Sequence, residues 1–209
     1  MTNKDKNYPI IVIGRSFGAG GRAIGKLLSE RLGIPYYDNE LLMETARQFG
    51  LQSHIFAGAD EKRPSFFKRL LTQSYGVQEA YGQDTLSSEA LYQAQSRVIR
   101  NIAERGSCII VGRTADYILR DYPGLKSIFL HAPVEYRAAK IVARGDAPTT
   151  EEAVELARRR DRDREAYYNY FTGRHWGEAT NYTLTLDSSK ADPGRIVDLI
   201  TSYLEFKKN

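Results

Sequence analysis

Four glycines fall within eight residues at Gly14-Arg-Ser-Phe-Gly18-Ala-Gly20-Gly21, and Arg22 follows directly. The run sits where an apolar stretch, Pro9–Gly14, hands over to a helical pattern carried by Ile24, Leu27, Leu28 and Leu32. A helix that starts there leaves its first amides unpaired, with the positive end of its dipole beside them, and such an end attracts phosphate. Glycine removes the Cβ that would hold an anion away from the backbone. Arg22 and Lys26, four apart on one helical face, bring two cations to the same end. A tight turn alone needs fewer glycines than this.

Two anion-loop patterns compete for the segment. Measured against G-x-x-x-x-G-K-[ST], the second glycine comes one residue late, at Gly20, Gly21 stands where the lysine belongs, and no hydroxyl follows. Measured against the dinucleotide pattern G-x-G-x-x-G/A, Gly18, Gly20 and Ala23 fit, and Asp38 ends the next predicted strand. The loop on its own favours the second pattern.

The arginines point the other way. Arg158, Arg159, Arg160, Arg162 and Arg164 share one helical stretch with Asp161, Asp163 and Glu165 between them. An isolated helix of this kind reads as a solvated face with pairs such as Arg159–Asp163. Behind a phosphate loop it reads differently, because a migrating phosphoryl group spreads charge over several oxygens and arginine's planar fork matches them. Hydride transfer has no use for five arginines in seven residues. A further basic site, Gly112-Arg113-Thr-Ala-Asp116, follows the apolar run Ser107–Val111. Strand ends open onto the ligand crevice of a doubly wound sheet, so Arg113 can hold a phosphate and Asp116 can accept from an exocyclic amine. Arg137 and Lys140 are weaker additions to that site.

With those residues in view, the chain resembles the cytidylate kinase-like family, which is related to the nucleoside monophosphate kinases. The resemblance is carried by Ile13–Asp38, by Cys108–Leu119 and by Asp161–Leu184, and it spans nearly the whole chain. It implies phosphoryl transfer from ATP, with Mg²⁺, to a nucleoside monophosphate, CMP or dCMP by default. It also implies that Gly18, Ala19, Gly20, Gly21 and Arg22 hold the ATP phosphates, and that the acceptor lies near Asp38, Arg113 and Asp116. Arg22, Arg158, Arg162 and Arg164 are the implied catalytic cations, the last three on a lid. Two departures stand out. The loop has no lysine or following hydroxyl, leaving Arg22, Lys26 or Ser16 to stand in and the metal ligands unassigned. Asp116 comes three residues after Arg113, where cytidylate kinases place the aspartate next to the arginine. A nucleotide-binding protein without turnover, a kinase for another acceptor and an NAD-dependent oxidoreductase stay open as alternatives.

The elements that must position these residues follow from pattern. Five strands are predicted: Pro9–Gly14, Ile34–Tyr37, Ser107–Val111, Lys126–Leu130 and Asn181–Leu186. Helices between them make a doubly wound, parallel α/β sheet of P-loop NTPase type. The 209 residues suit one domain, with a helical monophosphate-binding insertion over about 39–105 and a lid over about 149–176. Thr149 and Glu152 form a capping-box signature at the lid helix start. A net charge of +4 is too mild for a nucleic-acid partner. No apolar run reaches the roughly 20 residues of a membrane span, and the polar start carries no leader, so a soluble, cytoplasmic protein is expected. Cys108 is the single cysteine and reads as a buried apolar residue. His54, His131 and His175 have no ligand spacing, and the aromatic residues Tyr167 to Trp176 read as packing for the lid helix.

Overall fold

The computed structural model describes residues 10–38 and 88–205. Strand β1 (Ile11–Arg15) leads through the glycine loop into α1 (Gly21–Leu32) and then β2 (Tyr36–Tyr37). After α2 (Ser88–Glu104) come β3 (Ile109–Val111), the short α3 (Ala115–Ile118), β4 (Lys126–His131) and α4 (Val134–Ala143). The long α5 (Thr150–Thr172), β5 (Leu184–Asp187) and α6 (Pro193–Glu205) complete the chain. The helix expected at the end of the 39–105 insertion is α2; the rest of that insertion, with His54, lies outside the described residues.

All five strands join one sheet in the order β2-β3-β1-β4-β5, every pairing parallel. Parallel pairing puts every strand's carboxyl end on one edge, and the loop, Asp38, Arg113 and His131 gather there. The strand order also removes the dinucleotide expectation. In that fold β2 lies beside β1, whereas here β3 is inserted between them.

Alternation along β1 divides the core. Ile11 and Ile13 face α1 and α6, against Ile24, Leu28, Leu32, Ile196 and Ile200. Val12 faces the other way with Ile110 and Cys108, against Val98, Ile99 and Ile102 of α2. Cys108 is buried, and burial pushes its thiol up to about 12, so it packs as an apolar side chain. A third cluster, Ala138, Ile141, Ala153 and Ala157, joins α4 to α5 through small residues that let the helices approach closely.

Strand β2 is shorter than its apolar run. Pro35 has no amide to donate and its carbonyl accepts from Ile109 at 2.8 Å, so the ladder starts only at Tyr36. Its place at the sheet edge tolerates the proline. The Asn181–Leu186 strand also starts late, because Ala179–Asn181 closes a 3-10 turn first. Thr149 caps α5 as expected, its hydroxyl accepting from the Glu152 amide at 3.2 Å.

Candidate active site

Gly18 and Gly20 take φ of +86° and +83°, and these left-handed corners fold the loop back toward the start of α1. The loop is held from beneath. Ser16 donates its amide to Leu130 O at 2.9 Å, and the Ser188 hydroxyl at the end of β5 donates to Ala19 O at 2.8 Å. Gly20 caps α1 with no side-chain hydrogen bond, so no capping side chain competes with a ligand at the helix start. The predicted phosphate residues Gly18, Ala19, Gly20 and Gly21 thus form one turn. Arg22 sits beside it, 60% exposed, with Nε 3.6 Å from Oδ2 of the buried Asp38 carboxylate.

The back of the loop is clamped by Asp161, which the sequence offered only as one of the charges between the arginines, and by Arg137, which it offered for the acceptor site. Phe17 donates its amide to Asp161 Oδ1 at 2.7 Å. Arg137 donates to Asp161 Oδ2 at 2.7 Å, to Phe17 O at 2.9 Å and to Ala132 O at 2.9 Å. Arg137 therefore holds the loop rather than adding to an acceptor site. The same helix face brings Arg164 to Arg15 O at 3.0 Å and over the Phe17 ring. Helix α5 is thus tied to the loop at its middle, through two side chains three residues apart.

Helical geometry explains which arginines take part. Ala153, Ala157, Asp161, Arg164 and Tyr168 share one stripe, and its small members pack on α4. Arg158 and Arg162 lie on the opposite face and are exposed. Arg164 is the member of the predicted trio that meets the loop. Spacing alone contained that signal, since Asp161 follows Ala157 by four and precedes Tyr168 by seven.

Arg164 converges with Arg15 and Arg113. Burial draws the Arg15 guanidinium down to about 10, and Arg113 and then Arg22 push the same way against Tyr36 and Asp38. Arg164 is lowered well below the ordinary arginine value by burial and then by Arg15, with Asp161 opposing and Arg160 and Arg113 adding. Guanidinium stays charged in proteins, so the shifts express burial of these cations first and like charge beside them second, and an anion would offset both. Beside them the Tyr36 hydroxyl is buried without a well-formed hydrogen bond, and burial with the Asp38 charge pushes it up to about 12. Arg113 itself has φ +61° and Thr114 has φ +53°, directly after Gly112 at +81°. Two side chains held in the left-handed region cost about 1–2 kcal/mol each, strain of a kind that gathers at functional turns.

Asp116 goes elsewhere. It is buried and accepts the Tyr168 hydroxyl at Oδ2, 2.8 Å, and the Arg174 charge acts on it. The sequence set it beside Arg113; the structure joins it to α5. Burial raises its carboxyl above the usual aspartate value. The folded protein therefore binds this proton more tightly than the unfolded chain, and the stabilisation is present at low pH and lost as pH rises through the folded value. Asp116→Asn is accordingly expected to melt higher than the parent at pH 7.5, with the gap closing as pH falls toward 4. Thermal melts across that range check it. Of the other aromatic residues, Phe171 stacks on Tyr92 with centroids 4.3 Å apart and Trp176 meets Phe129 edge-on at 5.3 Å, while Tyr170 is 59% exposed.

Comparison with known proteins now decides the class. A model of the cytidylate kinase-like family matches residues 10–190. The chain belongs to that family. A cytidylate kinase of Sulfurisphaera tokodaii is 23% identical over 197 residues, covering 94% of this chain and 96% of its own. Among solved structures, an uncharacterised protein from Eubacterium ventriosum is similar with a TM-score of 0.71 and 26% identity, covering 94% of this chain and 98% of that one. A shikimate kinase from Acinetobacter baumannii, in complex with shikimate, shares the fold at a TM-score of 0.56 and 14% identity, covering 99% of both chains. The fold is thus that of the P-loop kinases, and within the cytidylate kinase-like family the chain is of the nucleotide-kinase class. No helix among the described residues is long and apolar enough to cross a membrane.

Proposed function

We propose that this chain transfers the terminal phosphoryl group of ATP to a nucleoside monophosphate, with CMP or dCMP as the acceptor. The observation that carries the proposal is the cationic cluster between the glycine loop and the turn after β3, where the Arg15 guanidinium lies against Gly112, next to Arg113, and Arg164 donates to Arg15 O. A site for one phosphate needs fewer cations; a site where two phosphorylated molecules meet needs several.

The roles follow from placement. Gly18 to Gly21 and the start of α1 receive the donor phosphates, with Arg22 at the rim. Arg113 grips the acceptor's phosphate, which is already ionised at neutral pH and can attack without a side-chain base. Arg164 takes the lid's catalytic part, because its guanidinium is bound to Arg15 O at the edge of the loop. Arg158 and Arg162, exposed on the far face of α5, remain candidates for contact with nucleotide arriving from that side. In transfer, the bond from phosphorus to the bridging oxygen of ADP breaks as one to the acceptor oxygen forms. Magnesium, when bound with the nucleotide, neutralises charge on the donor oxygens. Among the described residues no group of three His, Cys, Asp or Glu gathers to hold a metal. Mg²⁺ commonly relies on few protein ligands, and the Ser16 hydroxyl is the one the loop itself supplies.

Asp116 is proposed to choose the base. A carboxylate fixed by Tyr168 has lone pairs that can also accept from an exocyclic amine, which cytosine has and uracil lacks. Asp38 favours a second reading, in which a buried carboxylate at the end of β2 accepts the proton of an alcohol acceptor. An ADP-release assay with Mg-ATP separates the two. Turnover confined to CMP and dCMP supports the monophosphate reading, and silence across all ribo- and deoxyribonucleoside monophosphates, with ATP still bound, overturns it.

A further inference from the structure

The loop lacks a lysine, yet the space beside the lysine position is filled. A Cβ built on Gly21 would lie 2.9 Å from Cγ, 3.2 Å from Cβ and 3.4 Å from Cδ of Arg15. A lysine at 21 and an arginine at 15 cannot both fit. From there the Arg15 side chain crosses to the turn after β3, where its guanidinium takes the space a Cβ at Gly112 would occupy. Two glycines, at the start of α1 and at the end of β3, thus make the channel this one arginine occupies.

The guanidinium ends among charges mostly of its own sign. Arg113 acts on it from the turn after β3, Arg22 from α1 and Arg164 from α5, while Tyr36 and Asp38 oppose them. Arg164 also fixes the backbone of the same residue by its bond to Arg15 O. A chain gains nothing in stability by driving a half-buried cation into a cluster of cations. It gains a fork of donors that a polyphosphate can use.

We propose that Arg15 is the phosphate-binding cation of this loop, supplied from the end of β1 in place of a lysine at the start of α1. The exchange moves the charge from the donor side toward the acceptor crevice, so Arg15 contacts the phosphoryl group in passage between the two. The inference rests on the loop being the donor site, as proposed above, but not on which acceptor is used.

The test therefore uses inorganic tripolyphosphate and the full chain, with binding followed by titration calorimetry and no turnover required. Arg15→Met keeps an apolar stem against Gly21 and removes the fork. Its affinity for tripolyphosphate is expected to fall about tenfold to a hundredfold, while the melting temperature without ligand holds or rises. Gly21→Lys alone is expected to weaken binding, because its side chain meets the Arg15 stem. Arg15→Ala with Gly21→Lys returns the cation to the helix start and is expected to recover most of the lost affinity, a non-additive result that only relocation of the charge produces. A folded Arg15→Met that binds within about twofold of the parent overturns the proposal, as does a parent that binds no tripolyphosphate. Should the Met variant not fold, Arg15→Gln takes its place; collapse of both would make Arg15 a structural strut and end the proposal. A parent that binds tripolyphosphate but phosphorylates no monophosphate leaves Arg15 its role and removes only the acceptor.

Discussion

Asp161→Ala is expected to lower the melting temperature by roughly 6–12 °C, the equivalent of about 3 kcal/mol in a chain of this size. The substitution leaves three polar groups stranded. The Phe17 amide loses its acceptor, and Arg137, 10% exposed, keeps its charge without the carboxylate that balances it. Removing one partner of such a pair costs more than the pair contributes, because the remaining ion stays desolvated. Arg164 loses its nearest anion as well. Asp161→Asn still accepts from Phe17 but carries no charge, so it should fall between the two. The exposed neighbour Glu165→Ala serves as control, with an expected change within about 0.5 kcal/mol. Because the loop is released along with the helix, ATP affinity is expected to drop in Asp161→Ala even well below its melting point. A melting temperature within 2 °C or so of the parent would show that α5 does not brace the loop.

Arg113→Gly separates stability from activity. Glycine accepts a φ of +61° at no steric cost, so the turn after β3 is relieved of about 1 kcal/mol of strain while the unfolded chain gains a comparable entropy. The melting temperature should therefore hardly move. Turnover should fall on the order of a hundredfold to a thousandfold, the usual loss when a donor aimed at developing charge is removed. Arg113→Lys is expected to recover little, since an ammonium cannot place two parallel donors on one phosphate. Steady-state kinetics with thermal melts of the same samples check both halves. A kcat/KM within about threefold of the parent would remove Arg113 from the site.

The contrast between those residues shows what the sequence carried. Five strands were legible because short apolar runs bounded by Gly and Pro admit little else, and both late strand starts trace to a local cause, Pro35 in one and the 3-10 turn in the other. The loop was legible from its glycines and Arg113 from its place after an apolar run. Asp161 was hidden because alternating charges on a helix read as neighbours neutralising one another. Its true partners, Phe17 and Arg137, lie 144 and 24 residues away. Arg15 was hidden by its position inside a motif judged by glycines alone, although the missing lysine called for a cation nearby. Asp116 was assigned by its distance from Arg113 along the chain, while its orientation is fixed by a tyrosine from α5 that spacing does not reveal.

Transfer of label from [γ-³²P]ATP to CMP in a single turnover, with the products separated by chromatography, is the most direct measurement. Phosphoryl transfer across the arginine cluster predicts label in CDP, little released as inorganic phosphate, and loss of that signal in Arg113→Gly. Label that stays in ATP, or leaves only as inorganic phosphate while CMP is unchanged, would contradict a cytidylate-directed kinase.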